Sequence, residues 1–208
     1  MIAELSNRFG KLFSAKKGPN GSSIGKRVIS PNNRDRMDSN SLGSKQSPAN
    51  VIAILRAALG GDIRQQYQVY ELMEDSWARL AKNLHELKSA AAGATYTVMP
   101  YTERGERPTD SAQAKADFVQ YAIDGWRGNP IDGTNGFRNA VYDLCDGVGK
   151  GFSVQEILWE MKPEGICPKS TYFCHPRYYS FPYDKTDLML SPQGDGVYEE
   201  FPRNKFIV

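Results

Sequence analysis

The feature that most constrains this chain is a regular row of apolar residues within the segment 63–91. In its second half the apolar positions follow one another at steps of four and three residues: Met73, Trp77, Leu80, Leu84, Leu87 and Ala91. This spacing places them on one face of an α-helix. It predicts a single long amphipathic helix, or two helices that meet near Asp75 and Ser76. Packing of this face into the core is the favoured interpretation, and a coiled-coil partner is the alternative.

Shorter helices are predicted where a capping residue precedes a helical apolar pattern. Asn50 and Asp110 are the candidate first residues of two of them, and the predicted ranges are 50–60, 110–126 and 137–148. Short β-rich runs separated by Pro and Gly predict strands at 94–99, 152–161, 171–175, 178–183, 187–190 and 205–208. The sequence therefore predicts an α+β fold, with long amphipathic helices packed on a mostly antiparallel sheet of short strands.

Charge divides the chain into two parts. Residues 1–50 contain nine Lys and Arg and three acidic residues, a net charge of +6, whereas the remainder carries −4. The ranges 1–48 and 49–208 are predicted to be a flexible, disordered basic N-terminal arm and a folded α+β domain. Such an arm indicates an anionic partner or an assembly contact, with a merely solvated leader as the alternative. The final strand has no cap or polar tail after it, which predicts a truncated domain.

Composition excludes several classes of protein. The 208 residues have a mean hydropathy of −0.54 and include no apolar run near 18 residues, so no transmembrane helix is expected. No secretory signal pattern occurs at the start of the chain. Three cysteines, Cys145, Cys167 and Cys174, are too few for a disulfide framework and fit a reducing compartment. We expect a soluble intracellular protein.

No motif predicts a cofactor or a metal. The glycine-rich runs 21–27 and 147–151 lack the strand–loop–helix context of a phosphate-binding loop. Cys167 and Cys174 are seven residues apart and do not have the paired spacing of a zinc site. Cys174 and His175 are adjacent in a predicted strand, so their side chains point to opposite faces and do not converge. Buried cysteines and a half-exposed histidine are the favoured interpretation. We predict no catalytic, cofactor-binding or metal-binding residues.

Glu156 is the one carboxylate that a catalytic interpretation can use. It lies between apolar neighbours in a predicted strand, so it requires a partner if it is buried. A structural ion pair with Arg138 or Arg177 is favoured, and a hydrolase domain centred on Glu156 is the less favoured alternative. The aromatic and basic residues of 169–185 are typical of a sheet core, with nucleic-acid stacking as the alternative.

Taken together, the ordered segments resemble the N-terminal part of the portal, or head–tail connector, proteins of Mu-like tailed bacteriophages. The segments that carry the resemblance are 55–67, 70–80, 88–91, 96–100, 149–159, 175–177 with Phe181, and 202–208. The resemblance covers residues 49–208. Many members have Asp-Pro where this chain has Asp75-Ser76, so a helix break is permitted here and not forced.

The resemblance implies a structural, non-enzymatic virion protein whose copies form a ring of about twelve subunits at one capsid vertex. Double-stranded DNA would pass through its channel, and the terminase motor, capsid and tail or adaptor proteins would be its partners. It further implies that residues 49–208 belong to the outer wing of the subunit and that the family sequence continues beyond residue 208. The expected locations are the virion and, during assembly, the host cytoplasm. A nucleic-acid-binding module that uses the basic arm is the alternative.

Overall fold

A computed structural model describes residues 27–29, 46–103, 105–129, 131, 134–182, 187–191 and 197–208. The predictions for 1–26 and 30–45 lie outside the described residues. The chain has an α+β fold, as predicted. The α-helices in the described residues are α1 (Pro48–Leu59), α2 (Arg64–Ser76), α3 (Ala78–Gly93), α4 (Asp110–Asp124), α5 (Phe137–Leu144) and α6 (Gly147–Lys150).

A β-hairpin forms the centre of the sheet. Strand β1 (Val154–Lys162) pairs antiparallel with β2 (Gly165–Cys174) along its whole length. On its other side, β1 pairs antiparallel with the short strand β5 (Phe206–Ile207), which gives the strand order β2-β1-β5. A second, two-stranded sheet joins β3 (Tyr179–Ser180) and β4 (Met189–Leu190).

Helix α5 links the helices to this sheet. The side-chain amide of Gln155 on β1 donates to the carbonyl of Ala140, at 2.6 Å, in the middle of α5. His85 of α3 and Tyr142 of α5 are joined by a hydrogen bond of 2.7 Å between Nδ1 and the phenol oxygen. The order of layers is therefore α3, α5 and the β1–β2 hairpin.

One compact cluster forms the core between the two sheets. Its members are Ile29, Val154, Cys174, Tyr178, Tyr179 and Leu190, each at most 3% exposed. Phe152, Phe201 and Phe206 pack around it. Ile29 comes from the part of the sequence predicted to be an arm, 125 positions before Val154. Its burial has no local signal, because the apolar residues around it have no period.

The helical seam is present, but it is divided and only partly buried. Helix α2 ends at Ser76, Trp77 is extended, and α3 begins at Ala78, so the second of the two predicted arrangements is confirmed. The expectation of core packing is wrong for several of its members. Met73, Trp77 and Leu87 are 46%, 58% and 43% exposed. The described residues therefore leave about half of each of these side chains uncovered.

Two local predictions are wrong. Residues 94–99 are predicted as a strand, and they form no strand in the structure. They contact helices instead, since the Val98 N–H donates to the Gln120 side chain of α4 at 2.9 Å and the Tyr96 ring packs edge-on against Phe137 of α5. Asn50 does not cap α1, because Ser47 accepts the hydrogen bond from the Asn50 N–H and Pro48 opens the helix.

The hairpin is longer than the sequence predicts. Strand β2 begins at Gly165, six residues before the predicted start at residue 171, although Pro168 lies within it. The pairing register of the two strands shifts between Leu158 and Trp159, and Trp159 faces Pro168. Proline has no N–H for the ladder, and a bulge is a position where a strand tolerates it.

Candidate functional site

Glu156 is the third residue of β1 and is fully buried, with 0% exposure. Its two carboxylate oxygens accept the backbone N–H groups of Val28, at 2.5 Å, and of Ile29, at 3.2 Å. The Nζ atom of Lys205 lies 3.8 Å from Oε1, and burial lowers the pKa of Lys205 while the Glu156 charge opposes that effect. These partners enclose the carboxylate, so no substrate has access to it.

The structural interpretation of Glu156 is therefore the one the geometry supports, although Arg138 is not its partner. Arg138 is exposed and donates to the carbonyl of Ala92, at 2.9 Å. The side chain of Arg177, the other predicted partner, lies outside what the structure describes. The hydrolase alternative would need a second carboxylate, and the described partners of Glu156 are two backbone N–H groups and Lys205.

The cysteines occupy separate places. Cys167 and Cys174 are 0% and 2% exposed and lie near opposite ends of β2, as free thiols. His175 instead approaches Glu71 of α2, with 3.5 Å between Nε2 and Oε2, and packs edge-on against Tyr67. Among the described residues no group of three or more His, Cys, Asp or Glu side chains could hold a metal ion.

The other segments considered as binding sites from the sequence, the glycine-rich run and the aromatic region, have structural roles. The glycine-rich run 147–151 forms helix α6 and its end, where Gly151 has a φ of 93°. Tyr178 and Tyr179 of the aromatic region lie in the core, and the ring of Tyr172 is covered by the guanidinium of Arg27, 3.6 Å from its centroid. Tyr183 and Lys185 are outside the described residues.

The structure assembles a buried ionic network that the sequence does not predict. The Lys88 Nζ of α3 lies 2.5 Å from Asp146 Oδ1 and 3.4 Å from Glu74 Oε1. The Lys150 Nζ of α6 lies 2.9 Å from Asp146 Oδ2 and 3.1 Å from Glu74 Oε2. The phenol of Tyr67 donates to Asp146 Oδ2. Two cations and two anions thus alternate in a closed ring that joins α2, α3 and α6.

The network is balanced in charge and nearly dry. The side chains of Lys88, Lys150 and Asp146 are 8%, 9% and 9% exposed. Burial alone would raise the pKa of Asp146, but hydrogen bonds from Lys88, Tyr67 and Lys150 hold it below its ordinary value. Burial and the neighbouring Asp146 carboxylate raise the pKa of Tyr67, so the phenol stays protonated and acts as a donor. The network therefore holds the three helices together in a defined arrangement.

Stability should fall in acid because of Asp146. Its pKa is depressed in the folded state, so its contribution is present above the ordinary carboxyl pKa of about 3.9 and is lost as the pH falls through the folded value. We expect the free energy of unfolding, measured in urea from pH 6 to pH 3, to fall in the parent chain. The fall should be smaller in the Asp146→Asn variant, and equal falls in both chains would contradict this role.

Comparison with known proteins shows the family of this chain. A profile of the family described as the portal protein of Mu bacteriophage matches residues 67–208. The match begins at Tyr67 and includes every member of the buried ionic network. The chain belongs to the family of Mu-like phage portal proteins. A curated relative, the Mu-like prophage FluMu protein gp29 of Haemophilus influenzae, is 26% identical over 154 residues.

That alignment covers 71% of this portal-family chain and 27% of the relative, so the chain spans about a quarter of the length of the curated relative it matches. The resemblance predicted from the ordered segments is confirmed. The family consists of structural proteins of phages and prophages. In the described part of this portal chain, no helix is long and apolar enough to cross a membrane.

Proposed function

We propose that this chain is part of a portal subunit whose copies form a ring at one vertex of a phage capsid. About twelve subunits would surround an axial channel. Double-stranded DNA would enter through that channel during packaging and leave through it on ejection, and the tail would attach to the same ring. The family match over residues 67–208 is the observation that carries this proposal.

The partners that follow are further copies of the chain, the terminase motor, the capsid and the tail or adaptor proteins. The virion is the corresponding location, with the host cytoplasm during assembly. In this proposal residues 49–208 form the wing-like domain and residues 1–48 form its basic leader. The chain acts as a structural element and not as an enzyme, which the enclosed position of Glu156 supports.

The exposed part of the helical seam supports assembly. Met73, Trp77 and Leu87 project from α2, from the junction and from α3, at 46%, 58% and 43% exposure. Large apolar side chains that remain exposed in a row are typical of surfaces that another protein covers. A second copy of the chain is the partner that a ring supplies, and Trp77 is the largest side chain in the row.

Electron microscopy of the protein expressed from the complete gene tests the ring. We expect annular particles with a channel wide enough for a DNA duplex. Trp77→Asp should abolish these particles while the subunit stays folded, because Asp is favoured at the first cap position of a helix and Trp77 holds that position in α3.

Arg79→Asp is the matched control, since it places the same charge on an exposed residue in the first turn of α3. We expect the Arg79→Asp variant to form annular particles as the wild type does. A wild-type protein that stays monomeric at assembly concentrations would refute the ring, whereas rings in both variants would remove Trp77 from the subunit contact.

A further inference from the structure

Three residues of the basic leader, Arg27–Ile29, contact the body of the chain, and two of them do so through their backbone. The N–H of Val28 donates to Oε1 of Glu156 at 2.5 Å, and the N–H of Ile29 donates to Oε2 at 3.2 Å. Each carboxylate oxygen thus takes one of two successive N–H groups. Bonds from a carboxylate to N–H groups are stronger than those between neutral groups. Glu156 therefore holds the main chain of this short segment and does not depend on the identity of its side chains.

Side chains on both sides of these bonds add selectivity. The guanidinium of Arg27 stacks on the ring of Tyr172, 3.6 Å from its centroid. Ile29 is 2% exposed and packs in the core cluster with Cys174 and Leu190. The surface accordingly fits a segment with a basic residue followed by two aliphatic residues.

One side of this contact lies within the part of the chain that matches the portal family, and the other side lies outside it. The residues that receive the segment, among them Glu156, Tyr172 and Cys174, lie within the range 67–208 that matches the portal family. Arg27–Ile29 lies outside that range and is joined to α1 through the sixteen residues 30–45 and Gln46–Ser47. A segment of the same chain meets its site at a higher effective concentration than a segment of a separate chain does at ordinary protein concentrations.

We propose that Glu156, the ring of Tyr172 and the apolar residues around Cys174 form a docking site for a basic–aliphatic–aliphatic segment, which Arg27–Ile29 of the same chain occupies. Docking anchors the basic leader to the sheet at one place. It also covers Cys174, so release of the segment exposes a thiol that is otherwise protected. This site is independent of the ring proposed above, and it can be tested on a single chain.

The reactivity of Cys174 toward a maleimide reports whether the site is occupied. Burial raises the pKa of its thiol to about 11, so labelling at pH 7 should be slow in the parent chain. Ile29→Asp and Glu156→Gln should each accelerate it at least about tenfold, because a charge enters the apolar site in one and a carboxylate bond is lost in the other. Hydrogen exchange at the amides of Val28 and Ile29 should accelerate with it.

Two matched variants and one internal thiol serve as controls. Ile52→Asp is the control for Ile29→Asp, because Ile52 is an isoleucine of α1 that is 50% exposed. Glu160→Gln is the control for Glu156→Gln, because Glu160 is an ion-paired carboxylate further along β1. Both should leave the labelling of Cys174 unchanged. Cys167, fully buried near the other end of β2, should keep its slow rate in every variant.

Equal acceleration of Cys174 and Cys167 in Ile29→Asp would mean that the domain has opened as a whole, and it would overturn the proposal. Unchanged labelling of Cys174 in that variant would overturn it as well. Because Glu156→Gln removes a buried charge, Ile29→Asp decides the outcome if the former does not fold. Labelling that slows as the protein concentration rises would show that a second copy supplies the segment, and would refute docking within one chain.

Discussion

Lys88→Met is expected to lower the free energy of unfolding by about 3–5 kcal/mol, as is typical when one partner of a buried ion pair is removed. Lys88 is one of two cations in the buried ionic network, which also contains Asp146, Glu74 and Lys150. Without it, two carboxylates share a single ammonium group in a site with little water. Methionine is unbranched and only one heavy atom shorter than lysine, so most of the loss is electrostatic.

Urea unfolding at pH 7, followed by circular dichroism, measures this change. Lys82→Met is the matched control, since Lys82 lies on the same helix and is 71% exposed in a surface pair with Glu86. It should change the free energy of unfolding by less than about 0.5 kcal/mol. A similar small change for Lys88→Met would show that the network contributes little to stability.

A double-mutant cycle isolates the interaction between Lys88 and Asp146. The combination of Lys88→Met with Asp146→Leu removes one cation and one anion together, so the remaining Lys150 and Glu74 stay balanced, at 3.1 Å. We expect the double variant to lose clearly less stability than the sum of the two single variants. Additive losses would mean that the two side chains do not interact in the folded state.

Gly61→Ala is expected to cost about 3 kcal/mol or more, because two separate effects add at this residue. Gly61 joins α1 to α2 with a φ of 101°, a conformation that side-chain-bearing residues rarely adopt. A Cβ atom would also lie 1.7 Å from the carbonyl oxygen of Phe181. The carbonyl of Gly61 accepts hydrogen bonds from the Phe181 N–H, at 3.1 Å, and from the Ser180 hydroxyl, at 2.7 Å. Movement away from Phe181 would therefore break the contact between the helical corner and β3.

Gly151→Ala separates the two effects. Gly151 has a comparable φ of 93°, but nothing lies within 4 Å of the position its Cβ would take. Its substitution should therefore show only the backbone strain, about 1–2 kcal/mol. Thermal and urea unfolding of the two variants measure the difference. Equal losses would mean that the close approach to Phe181 relaxes without cost.

Some elements could be read from the sequence because their signals are local. Helix α4 follows the predicted segment from Asp110 to within two residues of its end, and β1 follows the run of β-favouring residues that predicts it. The exchange of helical for β-like periodicity along the chain also predicted the α+β class. Capping, propensity and periodicity act over a few residues, so one sequence is enough to show them.

Other predictions failed where a partner distant in the sequence decides the outcome. Residues 94–99 have β-favouring side chains, but a strand also needs a neighbour, and their contacts are with α4 and α5 instead. The seam from Met73 to Leu87 has the correct period, yet several apolar members are exposed while Lys88 beside them is 7% exposed. Periodicity shows that a face exists, and it does not show what covers that face.

The sequence by itself determined most of the segments that become helices and strands, the α+β class, and which family the ordered set resembles. Only the tertiary structure decided the environment of Glu156, Lys88 and Ile29. Glu156 meets Ile29 across 127 positions, and Lys88 meets Asp146 across 58. The physical reason is that burial of a charge or of a short aliphatic segment depends on groups that the folded chain brings together, and these groups leave no pattern among their neighbours in sequence.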